Sequence, residues 1–142
     1  MQLTSFSDYA FRVLVYLSIH SDENCSTSDM AIALSTSRHH LTKVVQELNR
    51  MGLVISHRGA SGGITLSREP NTISLGEIFD HLEAQKPLVE CFNHGDNTCP
   101  ILPVCRLKGI LREAQQAFRN TLDRYTISDL IKNPEELKFY LG

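Results

Sequence analysis

The chain has 142 residues, 42% hydrophobic and 21% charged, with a formal net charge of −2, the profile of one compact domain with a real core. No apolar run approaches the roughly 20 residues a membrane-spanning helix needs, and no signal peptide opens the chain, so no membrane partner is expected and the expected compartment is the cytoplasm. No paired carboxylates, nucleophile–base set or phosphate-binding glycine loop stands out, which argues against an enzyme.

From Ser7 to about His20 the pattern predicts a first helix, with Ser7 as N-cap and Asp8 favourably placed in the first turn. Phe11, Val13, Leu14, Val15 and Leu17 cover most of its surface, so it should be largely buried. The polar turn that follows carries Cys25, expected to be an ordinary loop residue. A short second helix is expected over Asp29–Leu34, capped by Thr27 or Ser28.

A third helix, capped by Ser37, should run to about Met51. Leu41, Val44, Val45 and Leu48 stand at the spacing of one buried face, and Gly52 is a natural terminator. Its other face carries Arg38, His39, His40, Thr42, Lys43, Gln46 and Asn49. Two helices joined by a tight turn, the second with a polar, basic outer face, form a helix-turn-helix pattern. Strands at 53–57 and 63–67 then flank the glycine-rich loop 58–62, a basic hairpin of the kind that makes the wing of a winged helix. From Ser37 to Arg68 five Arg and Lys residues face the single acid Glu47, so one surface can be cationic while the whole chain is slightly acidic. The expected contacts to double-stranded DNA are Ser37, Arg38, His39, His40, Thr42 and Lys43 on the helix, and Arg58 and Ser61 in the wing.

Ser74-Leu-Gly-Glu77 reads as a capping box opening a fourth helix that Pro87 ends. Cys91, Cys99 and Cys105 then fall within fifteen positions, in a loop rich in Gly, Asn, Asp and Pro that cannot be regular structure. Clustered thiolates suit a soft metal centre, an iron–sulfur cluster or zinc, and three fall one short of the preferred four ligands. His94 could supply the fourth from within the loop, and a thiol–disulfide switch is the other use of such a set. From about Cys105 a long helix extends to near Tyr125. Its Leu107, Leu111, Ala114, Phe118 and Leu122 lie close to coiled-coil spacing, widened by Ile110 and Ala117, and the equivalent helix of a second copy is the simplest partner. The segments at 128–131 and 134–141 read as short helical pieces packing on the end.

The fold class expected is mainly α with a small β-hairpin wing: a winged helix-turn-helix over 1–83, a cluster-binding loop over 84–105, and a dimerisation helix with a helical tail over 106–142.

The opening Met-Gln-Leu-Thr-Ser-Phe-Ser-Asp-Tyr-Ala, the helix from Ser37 to Val45, the wing from Arg58 to Leu66 and the segment from Cys99 to Lys108 together resemble the NsrR family. These are nitric-oxide-sensing repressors among the bacterial winged-helix iron–sulfur regulators that include IscR. The resemblance covers nearly the whole chain. It implies a homodimer on a palindromic operator, with one iron–sulfur cluster, 4Fe–4S or 2Fe–2S, per protomer, held by Cys91, Cys99 and Cys105. It also implies, as fourth ligand, an aspartate near the start of the partner's first helix, which maps to Asp8. IscR-type regulators of iron–sulfur homeostasis, the nearest alternative, carry a histidine three positions after the third cysteine, where this chain has Lys108. A non-regulatory iron–sulfur or zinc-binding protein is the alternative from a different class.

Overall fold

The computed structural model describes residues 3–59, 62–83, 87–93, 95 and 97–142. In chain order the helices are α1 (Ser5–Ile19), α2 (Thr27–Ala33), α3 (Arg38–Arg50), α4 (Leu75–Glu83), α5 (Arg106–Leu122), α6 (Ile127–Leu130) and α7 (Pro134–Leu141). Strands β1 (Val54–His57) and β2 (Gly63–Leu66) lie between α3 and α4. They pair antiparallel, with Val54 opposite Leu66 and His57 opposite Gly63.

Helix α1 begins earlier than expected. Thr4, not Ser7, is the N-cap, its hydroxyl accepting the Ser7 amide at 3.2 Å. Ser7 is instead fully buried in the first turn. One step upstream of the expected cap, Ser26 opens α2 in a capping box with Asp29, because a carboxylate at the third helical position can reach back to the cap amide. Ser35 makes the tight turn to α3 in the left-handed region (φ 51°).

Ser37 caps α3 as expected, accepting the His40 amide at 3.1 Å. The helix ends on Gly52 at φ 72°, and the Leu53 amide reaches the Leu48 carbonyl at 2.9 Å, the closing bond of a Schellman turn. Leu41, Val44, Val45 and Leu48 are buried as the spacing required. They join Val13, Leu14, Leu17, Met30, Ile73 and Ile78 in one core.

Cys25 is not an open-turn residue. Its carbonyl accepts the Ile64 amide at 2.8 Å, adding a one-residue third strand to the wing, and its side chain enters the core. At the fourth helix the expected capping box is half formed. The Ser74 hydroxyl receives the Gly76 and Glu77 amides, but the Glu77 carboxylate is engaged by Arg68 at 3.1 Å.

Helix α5 divides its apolar stripe. Phe118 meets Phe79 of α4 edge-on at 5.1 Å, and Leu122 packs on the core. Leu107 and Ile110 stay exposed, with Ala114 and Ala117 beside them. The tail does more than pack on the end. Ile127 is fully buried in the main core, its amide on the Ile73 carbonyl at 3.0 Å, while Leu75 donates to the Tyr125 carbonyl at 3.0 Å. No helix of the described residues is long and apolar enough to cross a membrane.

Candidate nucleic-acid interface and cysteine loop

The N-terminal turn of α3 is capped by Ser37 and exposed at Ser37, Arg38 and His39, so the positive end of its macrodipole is open to an anion. Arg38, His39, Lys43 and Gln46 are exposed on that face. Thr42 is half-buried and turns its hydroxyl onto the Arg38 carbonyl at 2.8 Å.

His40 does not join this outward set. Its ring lies edge-on to Tyr9 at 5.0 Å and to Phe6 at 6.2 Å, and its buried Nε2 has no hydrogen-bond partner among the described residues. The expected base contact thus sits at the seam between α3 and α1. The reason is angular: one residue before Leu41, it faces the edge of the buried stripe.

The basic cluster also divides. Arg50 is forked on Glu47, with Nε on Oε2 at 3.0 Å and the terminal amine on Oε1 at 2.5 Å, and that pair holds the Glu47 carboxyl below the usual carboxylate range. Arg68 is spent on Glu77 and on the Thr72 carbonyl at 2.6 Å. Arg38, Lys43 and Arg58 carry no ion pair among the described residues, so they are the cations left for a polyanion.

Arg58 stands at the wing tip, followed by Gly59 at φ 109°. A side chain at Gly62 would come within 2.4 Å of the His57 carbonyl, so the loop closes only around glycine. Ser61, expected to touch DNA, lies outside the described residues.

The cysteines occupy the irregular chain between α4 and α5. Cys91 sits in a 3₁₀ turn (Glu90–Phe92), and Cys99 has its amide on Asn97 Oδ1 at 3.0 Å. Cys105, after a second such turn (Leu102–Val104), stands at the N-cap position of α5. All three are free thiols and half-buried. Among the described residues no three Cys, His, Asp or Glu side chains converge as a metal site in the single chain. His94 lies outside the described residues. Asp8 is half-exposed on the first turn of α1, paired with Arg12 at 2.8 Å. By donor chemistry the set fits an iron–sulfur group, with three soft thiols in a segment of short 3₁₀ turns and loop and a half-exposed carboxylate on α1.

Two side chains that the sequence reading passed over bear on this region. Glu83 ends α4 with its carboxylate buried, and His81 joins the Glu47–Arg50 pair. Glu83 was detectable as an acid four residues after Phe79, on the apolar stripe of α4. His81 gave no comparable signal.

A family profile described as an iron-dependent transcriptional regulator, Rrf2, matches residues 3–133. The chain is 44% identical over 142 residues to the HTH-type transcriptional regulator NsrR of Halalkalibacterium halodurans, covering 99% of this chain and 97% of that protein. To NsrR of Bacillus subtilis it is 41% identical over 138 residues, covering 96% and 94%. Among solved structures, the global cysteine regulator CymR of B. subtilis superposes with a TM-score of 0.72 at 26% identity, over 92% of this chain and 95% of that one. IscR of T. potens gives a TM-score of 0.73 at 25% identity, over 96% and 90%. Members of this family are transcriptional regulators, not enzymes, and their shared architecture is the winged helix described above. The chain belongs to the Rrf2 family of transcriptional regulators, alongside its NsrR members.

Proposed function

We propose that this chain is a nitric-oxide-responsive transcriptional repressor of the cytoplasm that binds palindromic operator DNA as a homodimer, under the control of one iron–sulfur cluster per protomer. The observation that carries the reading is the state of the loop: Cys91, Cys99 and Cys105 are all free and half-buried in irregular chain that runs directly into α5. On this reading residues 1–83 read DNA, 84–105 hold the cluster and 106–142 make the dimer. The exposed apolar stripe of Val104, Leu107 and Ile110, with Ala114 and Ala117, supports pairing with a second copy.

Cys91, Cys99 and Cys105 would hold the cluster, with Asp8 of the other protomer as the fourth ligand. The cluster, 4Fe–4S or 2Fe–2S, supplies iron sites that react with nitric oxide. A carboxylate is a hard donor beside three soft ones, and Arg12 offers Asp8 a competing partner. Release of Asp8 to Arg12 would untie the start of α1 from the other chain's loop, and α1 packs directly on α3 through Tyr9 and His40. The two α3 helices would then lose the fixed spacing that successive half-sites require. Ser37, Arg38, His39, Thr42 and Lys43 with Arg58 and Ser61 form the DNA contact set, and His40 supports it from behind.

An anaerobic visible spectrum titrated with nitric oxide, with DNA binding followed in parallel, tests this. Loss of a broad iron–sulfur absorption together with loss of DNA binding is expected, and Asp8→Ala should alter the nitric-oxide response. A colourless zinc protein whose DNA binding ignores nitric oxide would overturn the sensing role.

A further inference from the structure

Within its last turn, α4 makes polar ties to three other helices. Asp80 receives Arg119 of α5 at 2.6 Å, and Glu83 receives the amide of Thr4 at the start of α1 at 3.1 Å. Between them, His81 reaches the C-terminal end of α3, its Nε2 lying 2.8 Å from Glu47 Oε1 and 3.2 Å from the terminal amine of Arg50. Of these groups only Glu47 and Arg50 lie on α3, at its C-terminal end, while Arg38 and His39 open the helix at the other end. They set where that helix stands.

The Nε2 of His81 cannot serve both neighbours at once. Carrying a proton, it donates to Glu47 and opposes Arg50; without one, it accepts from Arg50 and opposes Glu47. The neutral ring with its proton on Nε2 offers Glu47 an uncharged N–H, whereas only the imidazolium sets a full positive charge against a carboxylate that has lone pairs left for it after Arg50. The other charged groups at this cleft are already matched: Asp80 and Asp123 by Arg119, at 2.5 and 2.9 Å, and Glu77 by Arg68, at 3.1 Å. Glu47 is therefore the acid that faces the ring.

We propose that His81 is a positioning residue for DNA binding: it fastens the C-terminal end of α3 to α4, and more tightly when its ring is charged. DNA affinity therefore carries a component that falls as pH rises through the range of about 5 to 8 in which imidazoles titrate. The inference rests on α3 being the helix that reads DNA.

The test uses the full-length protein and a fluorescent duplex recovered by the wild type from a random-sequence pool, with Kd measured at about pH 6 and about pH 8. His39 and His57 are also exposed imidazoles, so the readout is the difference between wild type and variant. His81→Gln keeps a neutral bridge, so it should match wild type at the higher pH and bind about threefold more weakly at the lower one, the scale of a partly exposed ion pair. His81→Ala should be weaker at both. Kd values for His81→Gln that follow wild type at both pH values would overturn the proposal. So would a His81→Ala variant that changes only the melting temperature. Lys43→Ala is the separate control: unchanged affinity there would sink the reading of α3 on which the proposal rests, whereas weaker binding there with a His81→Gln variant that follows wild type would sink the role of His81 alone.

Discussion

The carboxylate of Glu83 accepts the Thr4 hydroxyl at 2.7 Å, joining the end of α4 to the cap of α1 across 79 residues of sequence. The same oxygen takes the Thr4 amide and the buried Ser7 hydroxyl. A carboxylate at a helix N-terminus also meets the positive end of the macrodipole. The turn so held is the one that presents Asp8.

Removing that acceptor strands three donors. Glu83→Ala should lower unfolding free energy by about 1–3 kcal/mol, the cost of leaving buried polar groups unsatisfied. Glu83→Gln, which still offers an amide oxygen, should lose less. Urea denaturation midpoints of the two variants against wild type measure this, and equal midpoints for all three would contradict it.

The division of the basic cluster predicts a division in salt dependence. Arg38→Ala, Lys43→Ala and Arg58→Ala should each weaken DNA binding and reduce the slope of log affinity against log salt by about one. Arg50→Ala and Arg68→Ala should leave that slope nearly unchanged, because their charges are already matched by Glu47 and Glu77. Titrations at several salt concentrations separate the two groups.

Burial pushes the Cys25 thiol up to about 11, with Glu23 and Asp29 adding to the shift, and burial raises Tyr16 in the same direction. Both acids are thus harder to ionise folded than unfolded. The stability this contributes is complete below the ordinary thiol range and is lost as pH climbs toward 11. Cys25→Ala should flatten that alkaline decline in denaturation midpoints. At neutral pH an alkylating reagent should modify Cys91, Cys99 and Cys105 in cluster-free protein well before Cys25, read by peptide mass spectrometry.

Gly76 marks a close approach of α4 to Asp123 at the end of α5. A Cβ there would lie 1.8 Å from Asp123 Oδ1, so Gly76→Ala must push that carboxylate off Arg119. A loss of about 1–3 kcal/mol is expected from overpacking. Combining it with Asp123→Ala should recover part of the loss, which a double-mutant cycle in thermal unfolding would register.

The winged helix was legible in the sequence because its signals are local. Ser37 as cap, Gly52 as terminator, the four-residue stripe of α3 and the glycines of the wing each act within one or two turns of chain. The three thiols were legible for the same reason, as a cluster in a segment that cannot be regular. Tertiary structure alone decided which residues are used twice or turned inward. His40 is drawn to Tyr9, Cys25 becomes a third strand through Ile64, and Ile127 returns to the core. Thr4 wins the cap from Ser7 because Glu83 arrives to receive both hydroxyls. Each of these depends on a partner remote in sequence, and the free energy of such a contact exists only once the chain has closed the loop between them.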